Sequence, residues 1–194
     1  MAVSTGLIAV LPAPAGTSLE KIREAIAFCR ESREIMKVLV ASDRPIEQDV
    51  INEGAWFYPT GSSALNHPVP RLALLAEVAT YYEKRDGERV RLVLHLDAER
   101  LMTDPLVVFE CFQRIMINAF ADGIVGVSKG GAGGLAEKGE FLDADPAGPF
   151  SLDGSVYMLE HDFLLSAPAD WFAGGKFLAY HSAPAGAPSR GHFL

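Results

Sequence analysis

The stretch "LIAVLPAPAGTSLEKI", residues 7–22, predicts a strand, a loop of small residues and a helix in succession. Residues 7–11 form a continuous apolar run, which is typical of a strand covered on both faces. Thr17 and Glu20 form a T-x-x-E capping box, so a helix is expected to begin directly after Thr17. In many α/β proteins a loop in this position binds phosphate at the helix N-terminus. Residues 12–18 are therefore the first candidate for a ligand site.

The rest of the chain repeats this alternation. Further strands are predicted at residues 35–43, 55–59, 89–99, 123–129 and 176–182, with a strand followed by a helix in residues 154–165, and further helices at residues 46–54, 71–87 and 105–123. Strands that alternate with helices predict a mostly parallel central sheet with helices on both faces. Residues 139–152 show no clear period. We expect a single domain over residues 1–182 and a loosely ordered, Pro-, Ala- and Gly-rich tail at residues 183–194.

Composition narrows the classes of partner. The 194 residues carry a formal net charge of −8, and 49% hydrophobic with 22% charged residues is an ordinary globular composition. Because nucleic-acid sites need clustered Lys and Arg, a nucleic-acid partner is not expected. No apolar stretch is long enough to span a bilayer, so a membrane partner is not expected either. Cys29 and Cys111 lie among apolar residues of predicted helices, which favours reduced core cysteines in a cytoplasmic protein.

Polar candidates follow the carboxyl ends of the predicted strands, where ligands bind in wound sheets. Ser42 and Asp43 end the second strand, and they can either contact a nucleotide or cap the next helix. Asp97 and Glu99 end the central strand in a D-x-E pattern. Because Mg²⁺ takes oxygen ligands, the two carboxylates can hold a metal. The alternative is that they cap the loop or pair with Arg100.

Other polar residues are weaker candidates. His95 alternates with Asp97 along a strand, so both side chains leave the same face, and either a proton relay or a buried, hydrogen-bonded histidine fits this position. Asp143 and Asp145 form a second acidic pair, for which a solvated loop is favoured. Three isolated cations suit either a substrate anion or the surface: Arg71, Lys129 and Lys176.

Several of these segments together resemble the acylneuraminate cytidylyltransferases, which activate acidic sugars. Residues 7–13, "LIAVLPA", correspond to the family's first strand and nucleotide loop, and residues 37–55, "KVLVASDRPIEQDVINEGA", resemble its strand, Ser/Thr–Asp pair, helix and Gly-Ala ending. Residues 153–164, "DGSVYMLEHDFL", are similar to its Asn-Gly-Ala-Ile-Tyr-Ile segment near the sugar pocket, and residues 176–184, "KFLAYHSAP", follow as a last strand does there.

The resemblance implies a three-layer, Rossmann-like nucleotide-diphospho-sugar transferase fold. It also implies a reaction in which a sugar hydroxyl attacks the α-phosphate of CTP with the help of Mg²⁺. The expected partners are CTP or another nucleotide and an acidic sugar, and packed helices allow a homodimer. The metal ligands would be Asp97 and Glu99. The nucleotide-binding residues would lie in the first loop and after the second strand: Pro12, Ala13, Gly16, Thr17, Ser18, Ser42 and Asp43.

Two features depart from the family. Its first loop carries glycines, an Arg and a Lys, whereas here Pro12 and Pro14 lack amide donors and no cation occurs before Lys21. The family's late metal-binding Asp motif has no counterpart in residues 183–194. These departures predict a structural turn in place of a triphosphate cradle, and weak nucleotide binding.

Three functions remain open from the sequence. The first is a cytidylyltransferase acting on CTP and an acidic sugar. The second is a non-catalytic relative that binds a nucleotide, a sugar or a protein. The third is a small glycosyltransferase that uses Asp97 and Glu99 with a metal. The sequence assigns no catalytic residue.

Overall fold

The computed structural model describes residues 6–65, 72–100, 104–130, 134–167 and 171–181, so the expected tail, residues 183–194, lies outside the described residues. The strands are β1 (Leu7–Pro12), β2 (Ile35–Ser42), β3 (Trp56–Pro59), β4 (Leu92–His95), β5 (Gly123–Lys129), β6 (Gly134–Lys138), β7 (Phe141–Asp145), β8 (Phe150–Glu160) and β9 (Phe177–His181). The helices are α1 (Leu19–Glu31), α2 (Glu47–Asn52), α3 (Ser62–Leu65), α4 (Leu72–Asp86), α5 (Leu106–Ile117), α6 (His161–Ser166) and α7 (Trp171–Gly174).

All of these strands belong to one sheet, in the order β3-β2-β1-β4-β8-β5-β9-β7-β6. Strand β1 pairs in parallel with β2 and β4, and β2 pairs in parallel with β3. Strands β5 and β9 also pair in parallel. Strand β8 runs antiparallel to both β4 and β5, and β7 runs antiparallel to β6 and β9. Leu135 of β6 also pairs with Phe150 of β8, which closes this half of the sheet on itself.

The sheet is therefore mixed, and the predicted mostly parallel sheet is not confirmed, because β8 and β7 run antiparallel to their neighbours. The departure arises at residues 139–152, which show no clear period but contribute β7 and the start of β8. A short turn joins β6 to β7, so these strands pair antiparallel without the crossover helix that parallel neighbours require.

Helices cover both faces of the sheet. The core on one face contains buried residues of α1, α2 and α5, and the core on the other face contains buried residues of α3, α4 and α6. Residues of β1 alternate between the two cores and none has exposed surface: Leu7, Ile8, Ala9, Val10 and Leu11. This double burial explains why β1 is a continuous apolar run.

The cap of α1 lies one residue later than the sequence predicts. Ser18 is the N-cap, and its Oγ accepts a hydrogen bond from Lys21 N at 3.2 Å. Thr17 is instead buried, with 4% of its surface exposed. The helix N-terminus therefore begins at the end of the first loop, where Ser18 uses its hydroxyl on the helix itself.

The two cysteines are buried and not disulfide-bonded. Burial raises the pKa of the Cys29 and Cys111 thiols to about 12 each, so both are protonated and unreactive at neutral pH. Among the helices in the described ranges, none has the length and apolar character that a membrane crossing demands.

Candidate functional site

The loop after β1 offers few backbone donors to a ligand. Pro12 and Pro14 have no amide hydrogen. Ala13 N donates to Ala41 O of β2 at 2.8 Å, and Thr17 N donates to Pro14 O at 2.9 Å. At most three amides of the loop, those of Ala15, Gly16 and Ser18, are left for a phosphate. Extended triphosphate chains are held by more donors than this, so the geometry agrees with a structural turn.

A hydrogen bond from Ser42 links this loop to the end of β2. Its side chain is buried, with 1% exposed surface, and Oγ donates to Ala13 O at 2.8 Å. The same oxygen accepts a hydrogen bond from Arg44 N at 3.3 Å. The hydroxyl is therefore used within the fold, whereas the neighbouring Asp43 is exposed at the same end of the sheet.

The loop after β4 carries the acidic candidates. Asp97 Oδ1 accepts a hydrogen bond from Glu99 N at 2.9 Å, and the Asp97 carbonyl accepts one from Arg100 N at 3.0 Å. Glu99 forms an ion pair with Lys21 of α1, which joins this loop to the first helix. This ion pair engages both Lys21, the first cation after the loop in sequence, and Glu99, the second carboxylate of the D-x-E pattern.

Strand β8 bulges beside the end of β4. Residues 153–156 lie opposite the single residue Gly126 of β5, and Gly154 within the bulge has a positive φ of 77°. A Cβ at Gly126 would collide with the bulge, and a Cβ at Gly154 would lie 3.3 Å from Arg100 Nη1. The two glycines thus let β5, the bulge and the loop after β4 approach one another closely.

His95 and Tyr157 are neighbours in the register of β4 and β8, and their ring centroids lie 6.0 Å apart. Burial raises the pKa of Tyr157 to about 12, an effect that Asp153 increases and Arg100 opposes. Burial lowers the pKa of His95 to about 4, against the attraction of Asp97. Both side chains are therefore neutral at pH 7, which does not favour a proton relay through a charged His95.

Three side chains at this edge of the sheet have buried polar atoms without hydrogen bonds. Among the described residues, Nδ1 of His95 has no hydrogen-bond partner, and neither do Oγ of Ser155 in the bulge and Nε and Nη2 of Arg44. Buried N–H groups without a partner are uncommon and costly in folded proteins. Arg44 follows β2 by two residues, so a positive charge with unused donors lies at the carboxyl ends of the parallel strands.

The remaining sequence candidates lie apart from this edge. Asp143 belongs to β7 and pairs with Lys138 at 2.7 Å, and Asp145 Oδ1 caps the following turn through Ala147 N. Lys129 and Lys176 are exposed, and Lys176 Nζ lies 5.8 Å from the centre of the Phe120 ring. Arg71 lies outside the described residues. The favoured loop around Asp143 was wrong, because this residue is part of a strand.

A shallow groove of about 380 Å³ lies elsewhere on the surface, between β3, α4 and α6. Tyr58, Glu77 and Tyr81 contribute to its lining, and none of the predicted site residues does so. We therefore locate the candidate site by the strand ends and not by this groove.

The loop after β4 offers few ligands to a magnesium ion. In the described part of the chain, no group of three or more His, Cys, Asp or Glu side chains is placed to hold a metal. Mg²⁺ commonly uses one or two carboxylates together with substrate phosphates. Asp97 uses Oδ1 within the loop and can offer Oδ2, whereas Glu99 is paired with Lys21. The residues fit a Mg²⁺ that arrives with a nucleotide, and Asp97 would be its ligand.

The arrangement of sheet, covering helices and bulged β8 is the nucleotide-diphospho-sugar transferase fold, as comparison with solved structures shows. A structure of CMP:2-keto-3-deoxy-manno-octonic acid synthetase complexed with CTP matches with a TM-score of 0.65 and 16% identity, over 92% of this chain and 90% of that one. A crystal structure of 4-diphosphocytidyl-2C-methyl-D-erythritol synthase matches with a TM-score of 0.59 and 13% identity, over 91% and 89% of the two chains. The corresponding synthase from Anaerococcus prevotii matches with a TM-score of 0.55 and 10% identity, over 92% and 88%.

These comparisons support the predicted α/β class and the nucleotide-diphospho-sugar transferase fold, but not the mostly parallel, Rossmann-like sheet. No protein-family model matches the chain, and no curated protein matches it either. These three structures are a synthetase and two synthases whose names refer to CMP or cytidyl compounds, and none of the three names refers to an acylneuraminate. The particular resemblance to that family stays a prediction.

Proposed function

We propose that this chain binds CTP across the carboxyl ends of β1, β2 and β4 and transfers its CMP to a hydroxyl group of an acidic sugar. The observation that carries the proposal is the position of Asp97. This carboxylate lies two residues after β4 in a fold that the chain shares, over 92% of its length, with a synthetase complexed with CTP. A carboxylate at the end of a strand in this class of fold lies where ligands bind.

Different parts of the chain bind the phosphates, the metal ion and the sugar. The N-terminus of α1, with the amides of Gly16 and Ser18, faces one phosphate, and the unused donors of Arg44 compensate in part for a loop without cations. Asp97 would hold Mg²⁺ on the phosphates, and the ion would neutralise charge that develops during transfer. The bulge with Gly154 and Arg100 lies on the side where the sugar binds.

The reaction is a displacement at the α-phosphorus of CTP. The sugar hydroxyl oxygen forms a bond to this phosphorus, the bond to the oxygen that bridges to the β-phosphate breaks, and pyrophosphate leaves. The hydroxyl proton passes to solvent, since His95 is buried and neutral and the Tyr157 hydroxyl keeps its proton at pH 7. The chain therefore contributes orientation and charge, and no side chain is assigned as base.

A non-catalytic nucleotide-binding relative is the second candidate. Two observations favour this candidate over catalytic transfer. Lys21 is neutralised by Glu99, and the first loop holds at most three free amides. This pairing also speaks against a glycosyltransferase with a D-x-E metal site, because one of the two carboxylates already has a partner.

The first experiment is a thermal-shift titration of the purified chain with CTP, CMP and UDP, each with and without Mg²⁺. A ligand that binds the folded state raises Tm by mass action. We expect CTP with Mg²⁺ to raise Tm most. In Asp97→Asn the Mg²⁺-dependent part of this shift should disappear, because the amide keeps an oxygen for Glu99 N but lacks the charge that holds the cation.

The matched control is Asp143→Asn, which removes one carboxylate from the other acidic pair and should leave the shift intact. Pyrophosphate release on addition of acidic sugars then separates the candidates. Release supports transfer, and a CTP shift without release supports the non-catalytic relative. A response that is selective for UDP and requires Mn²⁺ would favour the glycosyltransferase. No response to any nucleotide would overturn nucleotide binding altogether.

A further inference from the structure

Helix α5 presents an apolar surface to solvent. Its inner face is buried in the core through Val108, Cys111 and Ile115. Five large apolar side chains on the outer side of the helix and in the turn that follows remain exposed. They are Leu106 (62% exposed), Phe109 (39%), Met116 (40%), Ile117 (85%) and Phe120 (73%). We call this set the α5 stripe.

The α5 stripe is narrow and continuous. At 100° per residue the four helical members lie within an arc of roughly 100°, opposite the buried face. Together the five side chains expose on the order of 500 Å² of apolar surface, which is near the upper end for a monomer. Isolated exposed apolar residues need no explanation, but five on one side of one helix indicate a surface that is covered by a partner.

Four of the five members of the stripe lie symmetrically in sequence about Gln113. Leu106 and Phe120 each lie seven residues from Gln113, and Phe109 and Ile117 each lie four residues from it. An antiparallel second copy of the helix, related by a two-fold axis at Gln113, therefore places Leu106 against Phe120 and Phe109 against Ile117, while Met116 lies against Glu110 of the copy. Gln113, which is exposed, meets its own copy, and its amide can both donate and accept a hydrogen bond there.

We propose that the α5 stripe is the interface of a two-fold symmetric homodimer in which the α5 helices pack antiparallel about Gln113. An isologous interface requires a self-complementary surface, and the four symmetrically placed members of the stripe supply one. A standard interface buries about 800 Å² on each partner, so the stripe accounts for its apolar centre. Glu110 and Arg114, both exposed, carry opposite charges along one flank of the helix and form part of the polar rim. The proposal does not depend on the proposed function.

Sedimentation velocity of the full chain over a range of concentrations tests the dimer. We expect a dimer for the unchanged chain and for Leu165→Glu, a control in which an exposed leucine on α6 (61% exposed) is replaced. In Ile117→Glu the dimer should dissociate, with a Kd raised at least about tenfold, because a carboxylate would be buried in the apolar centre. Since Ile117 is 85% exposed in the monomer, the variant should keep the thermal unfolding profile of the unchanged chain.

The register is tested with Gln113→Cys under mild oxidation. The two-fold axis brings this position against its copy, so an intermolecular disulfide should form. Gln48→Cys on α2 should form none, and the native cysteines are buried. A chain that is monomeric at high concentration, or a dimer that Ile117→Glu leaves unchanged, would overturn the interface. A dimer that fails to cross-link through Gln113→Cys would overturn the antiparallel register.

Discussion

The ion pair between Lys21 and Glu99 decides how much positive charge the first loop can offer. The partners are 78 residues apart in sequence, and both are about half exposed. An exposed ion pair contributes little to stability, so its main effect is to occupy the lysine. Sequence reasoning identified each residue separately, but a contact between helix α1 and the loop after β4 depends on tertiary packing that no local pattern contains.

Glu99→Gln is therefore expected to strengthen CTP binding. The change leaves Lys21 without its carboxylate partner, so the ammonium group becomes available to a phosphate near the N-terminus of α1. The gain should be modest, roughly two- to fivefold in Kd, because the competing pair is exposed. Titration calorimetry with CTP and Mg²⁺ measures it.

Glu24→Gln is the matched control for this change, since it removes one negative charge from the exposed side of α1 without releasing Lys21. Equal effects of the two variants would show that general charge, and not the ion pair, governs the affinity.

His95 makes stability depend on pH in a defined direction. Its pKa is lowered to about 4 in the folded protein from 6.5, chiefly by burial. Between pH 6.5 and 4 the unfolded chain binds a proton that the folded chain does not, so the free energy of unfolding falls as the pH decreases through this range. The contribution of this group is about 3 kcal/mol at most.

Urea unfolding at several pH values checks this prediction. The loss of stability between pH 6.5 and 4 should be smaller in His95→Gln than in the unchanged chain, and His181→Gln, at an exposed position, should keep most of the original dependence. Identical pH profiles for His95→Gln and the unchanged chain would contradict the prediction.

At the scale of single elements, the bulge in β8 is a feature that the hydrophobic periodicity of the sequence does not predict. The segment 154–165 was predicted to contain a strand followed by a helix, and β8 does cover Phe150–Glu160. The departure of residues 153–156 from regular pairing depends on the facing residue Gly126, in another strand. A glycine in a strand pattern signals a bulge or a close approach, but it does not say which partner causes it.

Gly126→Ala should disturb this bulge. The new Cβ would overlap the Ser155 side chain and lie 2.9 Å from Val156 N, so β8 must shift. We expect a loss of about 1–3 kcal/mol in the free energy of unfolding, measured by urea denaturation, as is typical of overpacking.

Gly16→Ala is the control for added volume, because no atom lies within 4 Å of a Cβ at this position and its φ is not positive. Its stability should stay within about 0.5 kcal/mol of the unchanged chain. A Gly126→Ala variant as stable as Gly16→Ala would mean that the bulge can shift at a small cost in free energy.

Over the whole molecule, the parallel strands could be predicted and the hairpin of β6 and β7 could not. The apolar run of β1 signals double burial on its own, because both faces of a strand appear in consecutive residues. Strands β6 and β7 are short, and β7 includes the exposed residues Asp143 and Ala144, so their membership follows only from pairing with β8 and β9. For the same reason, the placement of the strand ends could be predicted, but the side-chain pairings between them could not.

In the order of the described strands, β3 lies at one margin of the sheet, and at the other margin β6 pairs back with β8 through Leu135 and Phe150. Strand β3 has four residues and ends in Pro59, which cannot donate a ladder hydrogen bond. A strand that added at this margin would therefore gain few ladder hydrogen bonds. Such a short edge that ends in proline disfavours edge-to-edge association of folded molecules.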